Sequence, residues 1–283
     1  MSIKITADRM IDLPKEDLEE YNIDTISCYV NMGGKSYSDL DDVFPADVFR
    51  YMEETGKVAQ TAAKSPTLYA EFFKPFVDIG DTVIHFAVSS GISSIANNAK
   101  SAAEEFPGKV FIIDTLLLSN GIALLVRYAM SLIAAGETNA EIIVSKVLQK
   151  IPKVQGSFLL NTLDCLYKGG RCSGLTYYAA NLLKIRPVIY MNETGHMVVR
   201  EKHRGHTDKT LESYVKTTFE KYPNPDLNLL YIVYSTYDKD MLERVKSIVG
   251  KYHTFEKTQE NFTGCNCAIH CGKETIALFY MCK

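Results

Sequence analysis

A chain of 283 residues with a formal net charge of −3 is long enough for about two domains. It buries roughly three quarters of its unfolded surface, so it needs neither disulfides nor metal to fold, and its slight negative charge argues against nucleic acid or an anionic membrane as main partner. Seven cysteines in no regular framework, a charged start at Met1–Asp8 and no apolar run of about 18 residues predict a cytoplasmic protein with reduced thiols and no stable membrane insertion.

In chain order, Ile3–Thr6 reads as a short strand. Amphipathic patterns predict helices over Asp47–Glu54 and Leu68–Phe76. Thr82–Val88 and Lys109–Asp114 are nearly continuous β-branched runs, as strands buried on both faces should be. A helix follows each, from Ser93 to Glu105 and from Ser119 to Ala135, the second closing at Gly136. Another helix is expected over Glu137–Ile151. Strand–helix alternation of this kind predicts right-handed βαβ crossovers and a parallel sheet.

After Gly156 the pattern changes to strands with fewer helices between them. They are expected at Ser157–Leu163, Arg186–Met191, His196–Glu201, Leu229–Ser235, Tyr252–Lys257 and Thr275–Met281, with a hairpin turn at Asn192–Gly195. The expected fold is therefore α/β with two domains and no repeats. Residues 1–155 form a three-layer α/β domain on a parallel sheet. Residues 156–283 form an α+β domain with a largely antiparallel sheet, and the two share a cleft.

Several polar loops fall where a cleft ligand would sit. Ser89-Ser90-Gly91-Ile92-Ser93-Ser94 follows a buried strand and opens a helix. In an open α/β sheet that position presents free N–H groups to anions. N-capping accounts for one or two of the four serines and leaves the others for a ligand. Gln60–Pro66 is a second polar loop, where Ser65-Pro66 reads as a helix cap and Thr61 has no such explanation. In Lys168-Gly169-Gly170-Arg171, two glycines free the backbone and a guanidinium fork follows, a weak anion-loop signal or a plain solvated turn. Cys265, Cys267, His270 and Cys271 put three thiols and an imidazole close together. Strand alternation there would turn the thiols away from the ring, and no second ligand pair for zinc is evident. Glu201–His206 is a basic cluster in which one arginine, Arg204, is a candidate to balance a bound acid. No Walker loop, Rossmann glycine pattern or nucleophile elbow is present.

Taken together and in order, these motifs resemble those of the DegV family, bacterial fatty-acid-binding proteins. Asp164-Cys165-Leu166-Tyr167-Lys168-Gly169-Gly170-Arg171 resembles its Asp-x-Leu-x-x-Gly-Gly-Arg signature. Ala7–Pro14, Gly34–Asp39, Thr61, Ser89–Ser93, Asp114–Gly121, Asn181–Pro187 and His270-Cys271-Gly272 resemble its other motifs, and together they span nearly the whole chain. The sequence departs from the family pattern at Arg9-Met10-Ile11, Ala62-Ala63-Lys64, Ser94 and Lys273-Glu274.

The resemblance implies a protein that holds one long-chain fatty acid and presents it to the catalytic subunit of a separate ATP-dependent fatty acid kinase. It implies no cofactor, no metal and no catalysis by this chain. The carboxylate would sit on Thr61, Ser93 and His270, with Ser90, Ser94 and Arg204 nearby. Gly169, Gly170 and Arg171 would form a surface loop for the kinase or the added phosphate. The acyl chain would lie in the first domain, along Ile122–Val126, unless that stretch is an ordinary core helix. Burying ~16 methylenes at about 0.8 kcal/mol each yields on the order of 10 kcal/mol, so an apolar slot would dominate affinity and polar donors would set orientation. The alternatives are an acyl-ester or thioester hydrolase using Ser93 and His270, and a zinc-binding regulator built on Cys265–Cys271.

Overall fold

The computed structural model describes residues 2–171, 185–205 and 207–283. Cys172 and Ser173, Asn181–Lys184 of the motif before Pro187, and His206 of the basic cluster lie outside the described residues.

The first half runs β1 (Ile3–Asp8), α1 (Lys15–Glu20), β2 (Asp24–Ile26), β3 (Tyr29–Met32), β4 (Lys35–Ser38), α2 (Pro45–Thr55) and β5 (Gln60–Ala62). It continues with α3 (Pro66–Asp78), β6 (Thr82–Ala87), α4 (Ile95–Ala103), β7 (Val110–Asp114), α5 (Asn120–Ala134) and α6 (Ala140–Lys150). The second half runs β8 (Val154–Leu159), α7 (Asp164–Lys168), β9 (Ile185–Met191), β10 (Met197–Arg204) and α8 (Thr207–Lys221). It ends with β11 (Pro225–Tyr234), α9 (Lys239–Val249), β12 (Lys257–Phe262), α10 (Cys265–Cys271) and β13 (Ile276–Cys282).

The β-branched runs form a four-stranded parallel sheet in the order β2-β1-β6-β7. Helices α3 and α4 cover one face, and α5 and α6 cover the other. Ser65 caps α3 by accepting from the Leu68 N–H, with Pro66 in the first turn. The second half is a six-stranded sheet, β10-β9-β8-β13-β11-β12, antiparallel throughout except where β11 and β12 run parallel. Along β13 the apolar residues alternate between two cores. Ala277 and Phe279 face the first half, while Leu278 and Tyr280 pack under α8 and α9. An unbroken apolar run is what a strand buried on both faces requires.

Helix α5 lies between the two sheets, touching β1 and β6 on one side and β8 and β13 on the other. Its residues from Asn120 through Val126 are all buried, the pattern of a helix that is apolar all round. Five layers result: helices, parallel sheet, α5 and α6, mixed sheet, helices.

Three expectations are corrected here. Tyr252 and Phe255 belong to a loop, not a strand. The chain turns at Tyr252 and His253 to close α9, and Phe255 packs on Phe219 and Tyr280. The strand begins at Lys257. Thr61 sits in strand β5, paired opposite Val30 in a small antiparallel sheet, β4-β3-β5, whose hairpin turns on Gly33 and Gly34 at φ +60° and +78°. Cys265–Cys271 is a helix, so strand alternation does not describe its side chains.

Two buried carboxylates of the first half hold the start of α10. Asp12 accepts from the Ser119 hydroxyl at 2.6 Å, the Thr263 hydroxyl at 2.8 Å and the Gly264 N–H at 2.8 Å. Asp39 accepts from the N–H groups of Cys265 at 2.8 Å and Asn266 at 3.0 Å. Negative charge at a helix start satisfies its free N–H groups and opposes the helix dipole. The same contacts orient the far end of α10, which carries His270. A second tie joins the Ser89 hydroxyl to the Gly195 carbonyl at 2.7 Å. There the Asn192–Gly195 hairpin lies directly on Gly91, where a Cβ would overlap the Gly195 carbonyl.

Candidate functional site

A cleft opens at the seam of the two halves, with about 730 Å³ of space between protein atoms, counted out to where it meets solvent. Most of its exposed wall is apolar, and Phe158, Leu166, Met197, Val233, Ala277 and Phe279 of the second half supply much of it. The acyl-slot residues expected on α5, Ile122–Val126, do not line it. They are the buried core between the sheets. The correction follows from the five-layer packing, which consumes both faces of α5.

One end of the cleft is polar. Thr61 Oγ1 and His270 Nε2 lie 3.2 Å apart, joining β5 to α10 across the seam. Among the described residues His270 Nδ1 is buried and without a hydrogen-bond partner. A stranded acceptor costs less than a stranded N–H, so the proton belongs on Nε2 and is donated to Thr61. The Thr61 hydroxyl proton is then free for a ligand. The Ser93 oxygen accepts from the Ile95 N–H at 3.3 Å, opening α4, which likewise leaves its hydroxyl proton to donate into the cleft.

The other serines of the loop do other work. Ser89 makes the hairpin tie, the Ser90 N–H donates to Asp114 at 3.1 Å, and Ser94 is exposed and does not line the cleft. Ser90 and Ser94 are therefore not brought to the site.

The cation at the site is Arg171, not Arg204. Arg171 lines the cleft, half-buried, with Nη1 donating to Gly169 O at 2.7 Å and Nε to Ile92 O at 3.4 Å. It is part of the wall, where the sequence suggested a surface loop. Arg204 is exposed at the end of β10. It lies seven residues beyond the lining residue Met197, roughly 23 Å along the strand. Among the described lining residues there is no carboxylate, and Arg171 carries the one full charge.

The two glycines before Arg171 differ in role. Gly170 takes φ +71° with none of the described residues beyond its chain neighbours close to it, whereas Gly169 has an ordinary helical φ of −75°. What Gly169 lacks is a side chain, because His270 occupies that space. After His270, Gly272 at φ +74° and Glu274 at φ +57° turn the chain into β13, so the Lys273-Glu274 departure puts a left-handed glutamate in this turn. Cys267 and Cys271 share the cleft wall with His270, while Cys265 is buried against Val43 and Asp39. Sequence reasoning missed Ser119, Thr263, Asn266 and Thr275 as lining residues. Isolated hydroxyls and amides carry no local signal.

Burial pushes the His270 pKa down to about 4, and the Arg171 guanidinium adds to the shift. Burial raises Asp12 to about 6, against its three hydrogen bonds. From His270's ordinary 6.5 down to about 4, the unfolded chain binds a proton that the folded one refuses, so stability falls with pH. Between about 6 and 3.8 the folded Asp12 holds a proton the unfolded chain has released, so stability rises as pH falls. The two oppose each other. Asp12→Asn keeps the shape, and the hydroxyls of Ser119 and Thr263 can turn to accept from its amide. Thermal midpoints of wild type and Asp12→Asn should therefore differ more at about pH 5 than at about pH 7, with the variant the less stable. A difference independent of pH would mean that Asp12 titrates in the ordinary range.

Fold and site together define a mixed α/β protein, with a parallel and a largely antiparallel sheet and an apolar cleft closed at one end by donors and a cation. The model of the DegV family, described as uncharacterised proteins, matches residues 2–283, and the chain belongs to that family. A DegV domain-containing protein of Caldanaerobacter subterraneus is 26% identical, over 98% of both chains. A fatty acid-binding protein of Thermotoga maritima is 27% identical, over 91% of this chain and 90% of its own. The solved structure of a fatty-acid-binding DegV family protein from Thermus thermophilus shares the fold at a TM-score of 0.91, with 24% identity and full coverage of both chains.

Proposed function

We propose that this chain binds a long-chain fatty acid in the interdomain cleft, with its carboxylate against Thr61, Ser93, His270 and Arg171. The acyl chain runs along the apolar wall, and the acid is presented to a separate ATP-dependent fatty acid kinase in the cytoplasm. The observation that carries this is an apolar cleft with donors and one guanidinium at one end and no carboxylate among its described lining residues. Such a wall suits an anion with a long hydrocarbon tail. Relatives that bind fatty acids support the same reading. No helix among the described residues is long and apolar enough to cross a membrane. Native mass spectrometry of protein purified from bacterial cells should show about one fatty acid per chain. A ligand-free protein that also takes up no added acid would sink the reading.

The geometry gives little support to hydrolysis by Ser93 and His270. The His270 Nε2 faces Thr61, and Nδ1 has no carboxylate to orient it among the described residues. A triad needs a nucleophile–base hydrogen bond and an oriented base.

The position of Arg171 changes what its removal should do. As a surface loop it would spare lipid binding; as wall it should not. Arg171→Ala should weaken fatty-acid binding about tenfold, the order of one charge-assisted hydrogen bond. Acyl-phosphate formation by the kinase should remain slow even at saturating acid, because the cation beside the reacting carboxylate is gone. Binding and turnover both at wild-type level would mean that Arg171 only braces the loop through Gly169 and Ile92.

A further inference from the structure

The rows of the six-stranded sheet show where the cleft ends. Thr275, just before β13, starts the lining, tied to the end of α10 by a hydrogen bond from its hydroxyl to Cys271 O at 3.0 Å. Ala277 comes next, flanked by Phe158 on β8 and Val233 on β11, and all three line the cleft. In the following row Phe279 stands between Gly156 and Tyr231, and Phe279 alone of that row lines it. The next residue on that face of β13, Met281, and its partner Val154 do not. Phe279 therefore marks the apolar end, roughly 13 Å along the strand from Thr275.

Its ring is held by two missing side chains. A Cβ on Gly156 would fall 2.8 Å from Phe279 Cδ1 and Cε1. A Cβ on Gly121 of α5 would fall 3.5 Å from Cδ1 and 3.3 Å from Leu117 Cβ. Beyond the ring, the Tyr231 hydroxyl accepts from Arg127 Nε at 2.6 Å, placing a polar group past the row.

We propose that the Phe279 ring, seated on Gly156 and Gly121, is the floor of the acyl channel and sets the longest chain the cleft accepts. The inference rests on the fatty-acid reading above. Its two sides make opposite predictions. Phe279→Leu and Phe279→Ala open space over the glycines and should move the preferred acid to longer chains. Gly156→Ala pushes the ring away from β8, toward the atom-free side, and should move the preference to shorter ones.

The experiment measures affinities of wild type and the three variants for straight-chain saturated acids from laurate to behenate, with circular dichroism to confirm folding. Acids about two carbons longer than the wild-type optimum should gain on the order of tenfold in Phe279→Ala relative to wild type, with a smaller gain in Phe279→Leu. In Gly156→Ala the wild-type optimum should lose on the order of tenfold against shorter acids. If Phe279→Ala does not fold, Phe279→Leu and Gly156→Ala still decide. The wild-type length profile in the folded variants overturns the assignment of Phe279. A wild-type protein that binds no acid of any length overturns the fatty-acid reading instead, a result the variants cannot mimic.

Discussion

His270→Ala is expected to weaken fatty-acid binding about tenfold or more while leaving the fold intact. Ser93→Ala should do much the same. Ser93→Ala removes a donor from a buried carboxylate, and His270→Ala removes the N–H that orients the Thr61 donor, each a loss of roughly 1–3 kcal/mol unless water enters. His270 also keeps Thr61 in place, because its Nε2 is the partner of the Thr61 hydroxyl. The two side chains act on one ligand oxygen cluster, so the double variant should lose less than the sum of the singles. Fatty-acid methyl esters lack the anion and should bind wild type and variants almost alike. Titration of acid and ester into each protein, with thermal melts as a control, separates the possibilities. Equal losses for acid and ester would mean that these residues shape the pocket and do not read the charge.

The fold was legible where periodicity and burial agree. Thr82–Ala87 and Val110–Asp114 are strands buried in a parallel sheet, and their apolar runs admit little else. Helix α5 was legible as a helix, but its place between two sheets was not. Ile122–Val126 look the same whether they face a ligand or a second sheet. The loop at Tyr252–Phe255 reads as a strand because its aromatics are wanted by the core beneath α8, a tertiary demand that local pattern cannot separate from strand alternation. The small sheet around Thr61 escaped notice because its strands are three or four residues long and half exposed.

At the site, Thr61, Ser93 and His270 were found through ordered motifs, and the structure brings all three to the cleft wall. The choice between Arg171 and Arg204 could not be made from composition. One follows a glycine turn and the other ends a strand, and only the path of the chain decides which guanidinium reaches the seam. Asp12 and Asp39 were invisible as supports, since their partners at the start of α10 lie more than two hundred residues away along the chain.

The first glycine of the Gly-Gly-Arg loop gives the sharpest expected contrast. Gly169→Ala should damage the site without straining the loop. Its φ of −75° and ψ of −5° suit any residue, so the backbone tolerates alanine. The added methyl would overlap His270 Nδ1 and fall 2.8 Å from Cε1 and 3.0 Å from Cys165 O. The imidazole is rigid, so the ring must swing toward the cleft and give up its bond to Thr61. Fatty-acid affinity should fall by about tenfold or more, as in His270→Ala, with an overpacking loss of roughly 1–3 kcal/mol in stability. Gly170→Ala should behave in the opposite way. Its φ of +71° costs alanine about 1 kcal/mol, but among the described residues nothing beyond its chain neighbours stands within 4 Å of the new methyl. Stability should drop modestly and binding should hold. In a His270→Ala background, Gly169→Ala should cost no further affinity, because the ring it displaces is already gone. Affinity for one saturated acid and the thermal midpoint, measured for wild type, the three single variants and the His270→Ala/Gly169→Ala double variant, decide the matter. If Gly170→Ala abolishes binding while Gly169→Ala leaves it untouched, the loop works through its backbone shape and not through His270.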